Sequence, residues 1–277
     1  MLNNTFIHIQ GIGLKTEKQI WGLGSKSWEN FLNNPPSSLS PAKIALIAPA
    51  LKTSQRALTC SDPNHFTSRL QVHQHWRLFK TFRHTTAYLD IETTGLDFNT
   101  DTITTVALFD GSNLQTFVKG HNLQDFLPAL TQYQVLVTYN GKCFDLPFIQ
   151  KQFGVRIEQA HIDLRFVLSS LGFKGGLKRI EQNLGMDRGP LREVDGYMAV
   201  LMWRSYEHTR DPRVLETLLA YNAQDSLNLE WLMVEAFNRK LAETPFFEEH
   251  RLSHPQLFSN PYRAHADVLQ HLTRGIL

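Results

Sequence analysis

The chain has 277 residues, 42% of them hydrophobic, enough for one large domain or for a medium domain with a smaller companion. It has only two cysteines, Cys60 and Cys143, and no repetitive or strongly biased composition, which excludes a disulfide scaffold and a fibrous or disordered chain. The net charge of +2 hides an asymmetry: residues 1–89 carry 10 Lys/Arg and 3 Asp/Glu, whereas residues 90–277 carry 18 and 23. A basic front half points toward phosphate backbones, although a solvated basic surface has the same composition. Two cysteines without a short spacing form no zinc cluster and predict a reducing cytoplasm. The opening MLNNTFIHIQGIG has no basic-then-apolar leader pattern. No apolar run approaches the roughly 20 residues of a membrane span, so no membrane partner is expected.

In chain order, residues 1–34 read as a small helical unit. HIQGIGLKTEKQIW places a Gly-Ile-Gly turn before a helical pattern, and WENFL forms a second short helix. NNPPSSLSPA is a linker by composition. A helix is predicted from 43 to about 58 and another over 66–83, with Leu70, Trp76, Phe79 and Phe82 on one side and His73 and His75 solvated. The pattern then changes to strands over 86–93, 102–111 and 114–120, the last two joined by the turn DGSN. LQDFLPALTQ reads as a helix, VLVTYNG as a fourth strand, FDLPFIQKQFG as a helix ending at Gly154, and HID as a fifth strand. The remainder is helical up to 241, including a long element over 213–241 whose start is marked by Asp211 and Pro212. Residues 244–277 read as irregular, then helical. The expected fold class is α/β: a mixed sheet flanked by helices, with a small N-terminal helical region. The expected divisions are 1–34, 35–84, 85–241 and 242–277.

Asp90 and Glu92 interrupt the apolar strand YLDIETTGLD. Side chains two apart on a strand share a face, so the two carboxylates project together near its C-terminal end. Their repulsion is relieved by a divalent cation, and oxygen ligands suit Mg2+ or Mn2+. Asp145 follows the fourth strand at a helix start, within the pattern Asn140-x-x-x-Phe144-Asp145. Tyr221 and Asp225 lie one turn apart on the long helix. Each has an ordinary reading by itself: a solvated strand pair, an acid favoured by a helix dipole, a core tyrosine beside a surface aspartate.

As an ordered set, LDIETTGL, YNGKCFDLPFI and LLAYNAQDSLNL resemble the three exonuclease motifs of the DEDD superfamily, in its tyrosine-containing branch. GGLKRIEQNLG and DGYMAVLMW resemble bacterial proteins with a YprB-like ribonuclease H-like domain, and the resemblance covers roughly residues 85–240. It implies a ribonuclease H-like fold and a metal-dependent 3′–5′ exonuclease cleaving phosphodiester bonds with two divalent ions, Mg2+ or Mn2+. Asp90 would bridge the ions, Glu92 and Asp225 would hold the one carrying the attacking water, and Asp145 would serve the other. Tyr221 would orient the water, because a phenol with a pKa near 10 is a poor base at neutral pH. Single-stranded nucleic acid or 3′ ends are the expected partner, DNA favoured and RNA open, since discrimination rests on the 2′-hydroxyl. The stretches before Asp90 and after Asp225 are too short for a polymerase domain in this chain.

Asn140 could hydrogen-bond a terminal nucleotide or hold the strand end. Asp163 reads as structural or as a support behind the site, Phe144 and Leu96 as packing residues, and Cys143 as a small buried residue. IQGIGLKTEKQIW resembles a helix–hairpin–helix element, with at most a turn or two of helix before Gly11. Such an element offers backbone amides to phosphate, here around Gly11, Gly13 and Thr16, with Lys15 and Lys18 adding attraction. The competing reading is a nucleic-acid-binding protein on the same fold without catalysis.

Overall fold

The structure is a computed structural model and describes residues 1–274. Five strands form one sheet: β1 (Thr86–Thr93), β2 (Ile103–Phe109), β3 (Leu114–Val118), β4 (Val135–Thr138) and β5 (Ala160–Asp163), in the order β3-β2-β1-β4-β5. β1, β2 and β3 are an antiparallel meander, and β4 and β5 run parallel to β1. The β2–β3 turn closes because Asp110 Oδ1 accepts the backbone N–H groups of Ser112 at 2.9 Å and Asn113 at 2.7 Å. Gly111 supplies the positive φ, +96°.

The thirteen helices among the described residues fall into three groups. The front end holds α1 (Leu14–Gly22), α2 (Trp28–Asn33), α3 (Pro41–Thr59), α4 (Asn64–Thr67) and α5 (Phe79–Phe82). Around the sheet are α6 (Phe126–Leu130), α7 (Asp145–Phe153), α8 (Leu164–Ser169), α9 (Leu177–Asn183), α10 (Gly196–Thr209) and α11 (Pro212–Ala242). Short helices α12 (Phe247–His250) and α13 (Ala266–Thr273) follow. The last three residues of the expected 242–277 extension lie outside the described residues.

β1 divides its side chains by parity. Ala87, Leu89 and Ile91 face α6 and α7, where Phe126, Phe148 and Ile149 complete an apolar layer. Tyr88 faces the other way, into the layer with Leu229, Met233 and Phe237 of α11. Asp90 and Glu92 continue the Tyr88 side, so the sheet face that meets α11 is apolar at one end and acidic at the other. Asp211 caps α11 through its side chain and Pro212 takes the first helical position, as the sequence predicts.

The front end shares the α11 layer. Phe6, Ile20, Trp28, Phe31, Ile47 and Phe66 belong to the same apolar cluster as Phe237. Glu17, fully buried, accepts the backbone N–H of Phe6 at 2.7 Å and a two-pronged ion pair from Arg77 at 3.0 and 2.8 Å. A charge buried this deeply is tolerated because it is paired and hydrogen-bonded.

Two expectations for this region need correction. Residues 66–83 are not one helix: α4 ends at Thr67, a 3-10 segment runs over Val72–Leu78, and α5 covers Phe79–Phe82. Leu70, Trp76, Phe79 and Phe82 are nonetheless all buried, so the burial pattern was right and the helical period wrong. His75 is buried rather than solvated, because its ring nitrogens bond to the backbone carbonyls of His161 and Leu70 at 2.8 and 3.1 Å. Among the described residues no helix is long and apolar enough to cross a membrane.

Candidate metal centre and nucleic-acid interface

β1 presents Asp90 and Glu92 on its α11 side, opposite Ala107 and Thr105 of β2. Small partners there leave room for the helix to come close. α11 is tied to β1 by two side chains: Ser226 Oγ donates to the Tyr88 carbonyl at 2.8 Å, and Asn222 Nδ2 donates to the Asp90 carbonyl at 3.1 Å and to Asp90 Oδ2 at 2.7 Å. This register brings Asp225 over the strand. Oxygens of Asp90, Glu92 and Asp225 lie within 4.8 Å of one another. Tyr221 is one turn before Asp225 on the same face, with 8% of its surface exposed.

Asp145 opens α7, behind a tight loop after β4. Asn140 adopts φ +67° there, a left-handed conformation that asparagine tolerates. Asp163, at the end of β5, accepts the backbone N–H groups of Asn140 at 2.8 Å, Lys142 at 3.1 Å and Arg165 at 3.0 Å, so it holds the loop and caps α8. Gly141 is required for space: a Cβ would lie 2.2 Å from Thr138 Oγ1. The Asn140 side chain holds the loop end, accepting from Arg165 at 2.5 Å. Phe144 packs on Phe148 with ring centroids 4.9 Å apart.

The acids raise one another's pKa. Burial pushes Asp90 well above its usual range, and the charges of Asp225, Glu92 and Asp145 add to this, while the Asn222 amide opposes it. Burial also raises Glu92, with Asp225 and Asp145 contributing and Arg188 opposing. Asp145 is raised to about 7, chiefly by burial, against backbone N–H groups that favour the anion. Asp225 is raised to about 6 by burial, with Arg188 pulling it down. Burial and the same carboxylates push the Tyr221 phenol far above its ordinary value, so it stays protonated at neutral pH.

An all-oxygen donor set, already crowded and destabilised by its own charge, fits a hard divalent cation. Asp90, Glu92 and Asp225 could share one ion, and Asp145 is close enough to repel all three. The arrangement can therefore gather positive charge at a point where a phosphodiester could bind.

A family model described as RNase_H superfamily matches residues 87–237. The chain belongs to the RNase_H superfamily. That stretch runs from β1 into α11 and contains every acid of the cluster. Among curated proteins, the uncharacterized protein YprB of Bacillus subtilis (strain 168) is 29% identical over 128 residues, which is 42% of this chain and 30% of YprB. The chain thus spans under a third of that relative. Solved structures similar to this chain include the following two. A family B DNA polymerase from the archaeon Pyrobaculum calidifontis gives a TM-score of 0.44 at 18% identity, over 57% of this chain and 24% of the polymerase. Brucella melitensis NrnC with bound Mg2+ gives 0.41 at 20% identity, over 58% of this chain and 76% of NrnC.

Within this RNase_H superfamily domain, the sequence reading gave no role to four polar residues at the site, although Asn222, Asn228 and Glu181 lie inside the stretches that carry the resemblance. Asn222 anchors Asp90. Arg188, Glu181 and Asn228 form a buried network behind Asp225. The available signal was a charged or amide residue in an apolar helical stretch, and Asn222 and Asn228 on α11 carry it. Two packing expectations fail: Leu96 is 84% exposed, on the loop after β1, and Cys143 is exposed.

The front-end candidates lie apart from the acids. Leu2–Asn4 is a single 3-10 turn, and only turns separate it from Gly11, which has φ +84°. Gly13 is the N-cap of α1, Lys15 and Lys18 are exposed, and Thr16 is half-buried. Gly11 and Gly13 line a cleft of about 540 Å3 together with Arg69 and His73. A second cleft, of about 830 Å3, is lined by Asn140, Tyr139, Arg165, Lys174, Gly175 and Gly196.

Proposed function

We propose that the protein is a metal-dependent nuclease of the DEDD type, a 3′–5′ exonuclease acting on nucleic acid, with single-stranded DNA favoured and RNA the second candidate. The observation that carries this reading is the convergence of Asp90, Glu92 and Asp225 oxygens within 4.8 Å, with Tyr221 one turn away on α11.

In this reading Asp90, Glu92, Asp145 and Asp225 hold two divalent ions, Mg2+ or Mn2+. Bound there, the ions would stabilise charge on the attacking and leaving oxygens and lower the pKa of water. Tyr221 orients the attacking water through its hydroxyl, and burial, which pushes its pKa up, favours that positioning role over a general base. Asn222 keeps the Asp90 carboxylate in one rotamer. The cleft at Asn140, with Arg165 and Lys174 on its wall, gives an incoming strand a positively charged approach at the loop that leads to Asp145. Gly11, Gly13, Lys15, Thr16 and Lys18 supply a second, sequence-independent phosphate contact.

The test is a cleavage assay with 5′-labelled single-stranded DNA, duplex DNA and RNA in Mg2+, Mn2+ or EDTA, alongside Asp90→Ala. A metal-requiring ladder shortened from the 3′ end, abolished in the variant, is the expected result. Shortening from the 5′ end would refute the polarity. Equal activity in the variant would refute the site.

A further inference from the structure

Arg188 lies on the connection between α9 and α10, and its side chain is 2% exposed. It donates to Glu181 Oε2 at 2.5 Å and to Asp225 Oδ1. Asn228 Nδ2 donates to the other Glu181 oxygen at 2.7 Å. The guanidinium carbon is 5.5 Å from the centroid of the Tyr221 ring. One buried cation therefore touches both an acid of the metal-binding trio and the phenol one turn before it.

Building on the nuclease reading above, we propose that Arg188 is a positioning residue that shares Asp225 with the divalent ion, weakening metal binding while fixing Asp225 and Tyr221 for the reaction. An aspartate offers two oxygens, and Arg188 takes one of them, which leaves the other for an ion. Glu181, itself held by Asn228, keeps Arg188 from closing fully on Asp225. A guanidinium stays charged at any ordinary pH, so its repulsion of a bound ion is constant. The Tyr221 ring rests against the same cation, which restricts its rotation.

The charges are consistent with this role. Asp90, Glu92, Asp145, Asp225 and Glu181 against Arg188 leave four negative charges, the number that two divalent ions neutralise. Arg188 thus offsets Glu181 rather than replacing an ion. Its Nε–H is buried and has no acceptor among the described residues. A donor left in that state marks a geometry set by the two carboxylates and not by the arginine's own full hydrogen bonding.

The test uses two variants of the full chain: Arg188→Lys, and Arg188→Gln combined with Glu181→Gln. The double variant removes both charges of the buried pair, with Glu181→Gln keeping the shape of the acid, and thermal melts confirm that it folds. Mn2+ affinity is read from the free-Mn2+ electron paramagnetic resonance signal, and kcat is measured at saturating Mn2+. The double variant should bind Mn2+ on the order of tenfold more tightly, because the positive charge removed touches Asp225, whereas the negative charge removed with it reaches Asp225 only through Arg188. Its kcat should fall by about 10- to 100-fold, the usual loss when a residue supporting a metal ligand is removed. Arg188→Lys should keep wild-type Mn2+ affinity and still lose kcat, because an ammonium cannot fork between two carboxylates.

Unchanged or weaker Mn2+ binding in the double variant overturns the proposal, and so does full kcat in Arg188→Lys. If wild type binds Mn2+ but cleaves no nucleic acid, the nuclease reading fails by itself and the affinity comparison still decides the role of Arg188. If wild type binds no Mn2+, both are overturned.

Discussion

Asn222 on α11 donates one side-chain amide to two oxygens of Asp90 on β1, 132 positions earlier: the backbone carbonyl at 3.1 Å and Oδ2 at 2.7 Å. The same contact docks the helix on the strand and fixes the carboxylate in the cluster. It also opposes the rise in the Asp90 pKa. Asn222→Ala should therefore weaken Mn2+ binding and lower nuclease activity by about 10- to 100-fold. Isothermal titration with Mn2+ and the labelled-strand assay check both effects. An Asn222→Ala protein with wild-type metal affinity would show that Asp90 needs no such support.

The acid cluster should make the metal-free protein less stable as pH rises. Asp145 goes from an ordinary value of 3.8 to about 7 in the fold. Between those values the folded state binds more protons than the unfolded state, so stability falls with rising pH through that window and levels off above it. Asp145→Asn should then raise metal-free stability at pH 8 by about 1–2 kcal/mol, a discounted share of the full shift, and have little effect at pH 4. For a chain of this size that is a rise in Tm of roughly 2–8 °C. Melts in EDTA at the two pH values test this, and added Mg2+ should stabilise wild type more than the variant.

The loop that carries Asp145 depends on Gly141. A methyl group there would meet Thr138 Oγ1 at 2.2 Å and Thr138 Cβ at 2.6 Å, and Thr138 is itself buried in β4. Gly141→Ala should cost about 1–3 kcal/mol, read from urea denaturation. Gly22→Ala, in the last turn of α1 where a Cβ meets nothing within 4 Å, should be nearly neutral and serves as the control.

The Glu17–Arg77 pair fastens α1 to the 3-10 segment Val72–Leu78 inside the front end. Arg77→Met leaves Glu17 as a fully buried, unpaired acid, at a cost of about 3–5 kcal/mol. Denaturant unfolding should show that loss. A cost under 1 kcal/mol would mean that Glu17 finds other support.

How much the sequence reveals depends on whether the local pattern alone determines the outcome. The strand parity of Asp90 and Glu92 follows from a fixed two-residue period, and the structure keeps both on one face. The one-turn spacing of Tyr221 and Asp225 is equally local, and α11 holds it through its whole length. Residues 72–78 show the converse: apolar spacing gives burial correctly, but a buried His75 bonded to the His161 and Leu70 carbonyls fits a tighter winding. Arg188 and Glu181 lay beyond any local rule, since each is explained only by a partner that folding brings from elsewhere in the chain, Asp225 for one and Asn228 for the other. Leu96 reads as packing by its type, but nothing folds over it.

The most direct test of the central claim is anomalous scattering from crystals of the full chain grown with Mn2+. The account predicts strong peaks bounded by Asp90, Glu92 and Asp225, with a second near Asp145, and their loss in Asp225→Asn. A protein that cleaves nucleic acid in Mn2+ while its crystals show no peak at those carboxylates would contradict it.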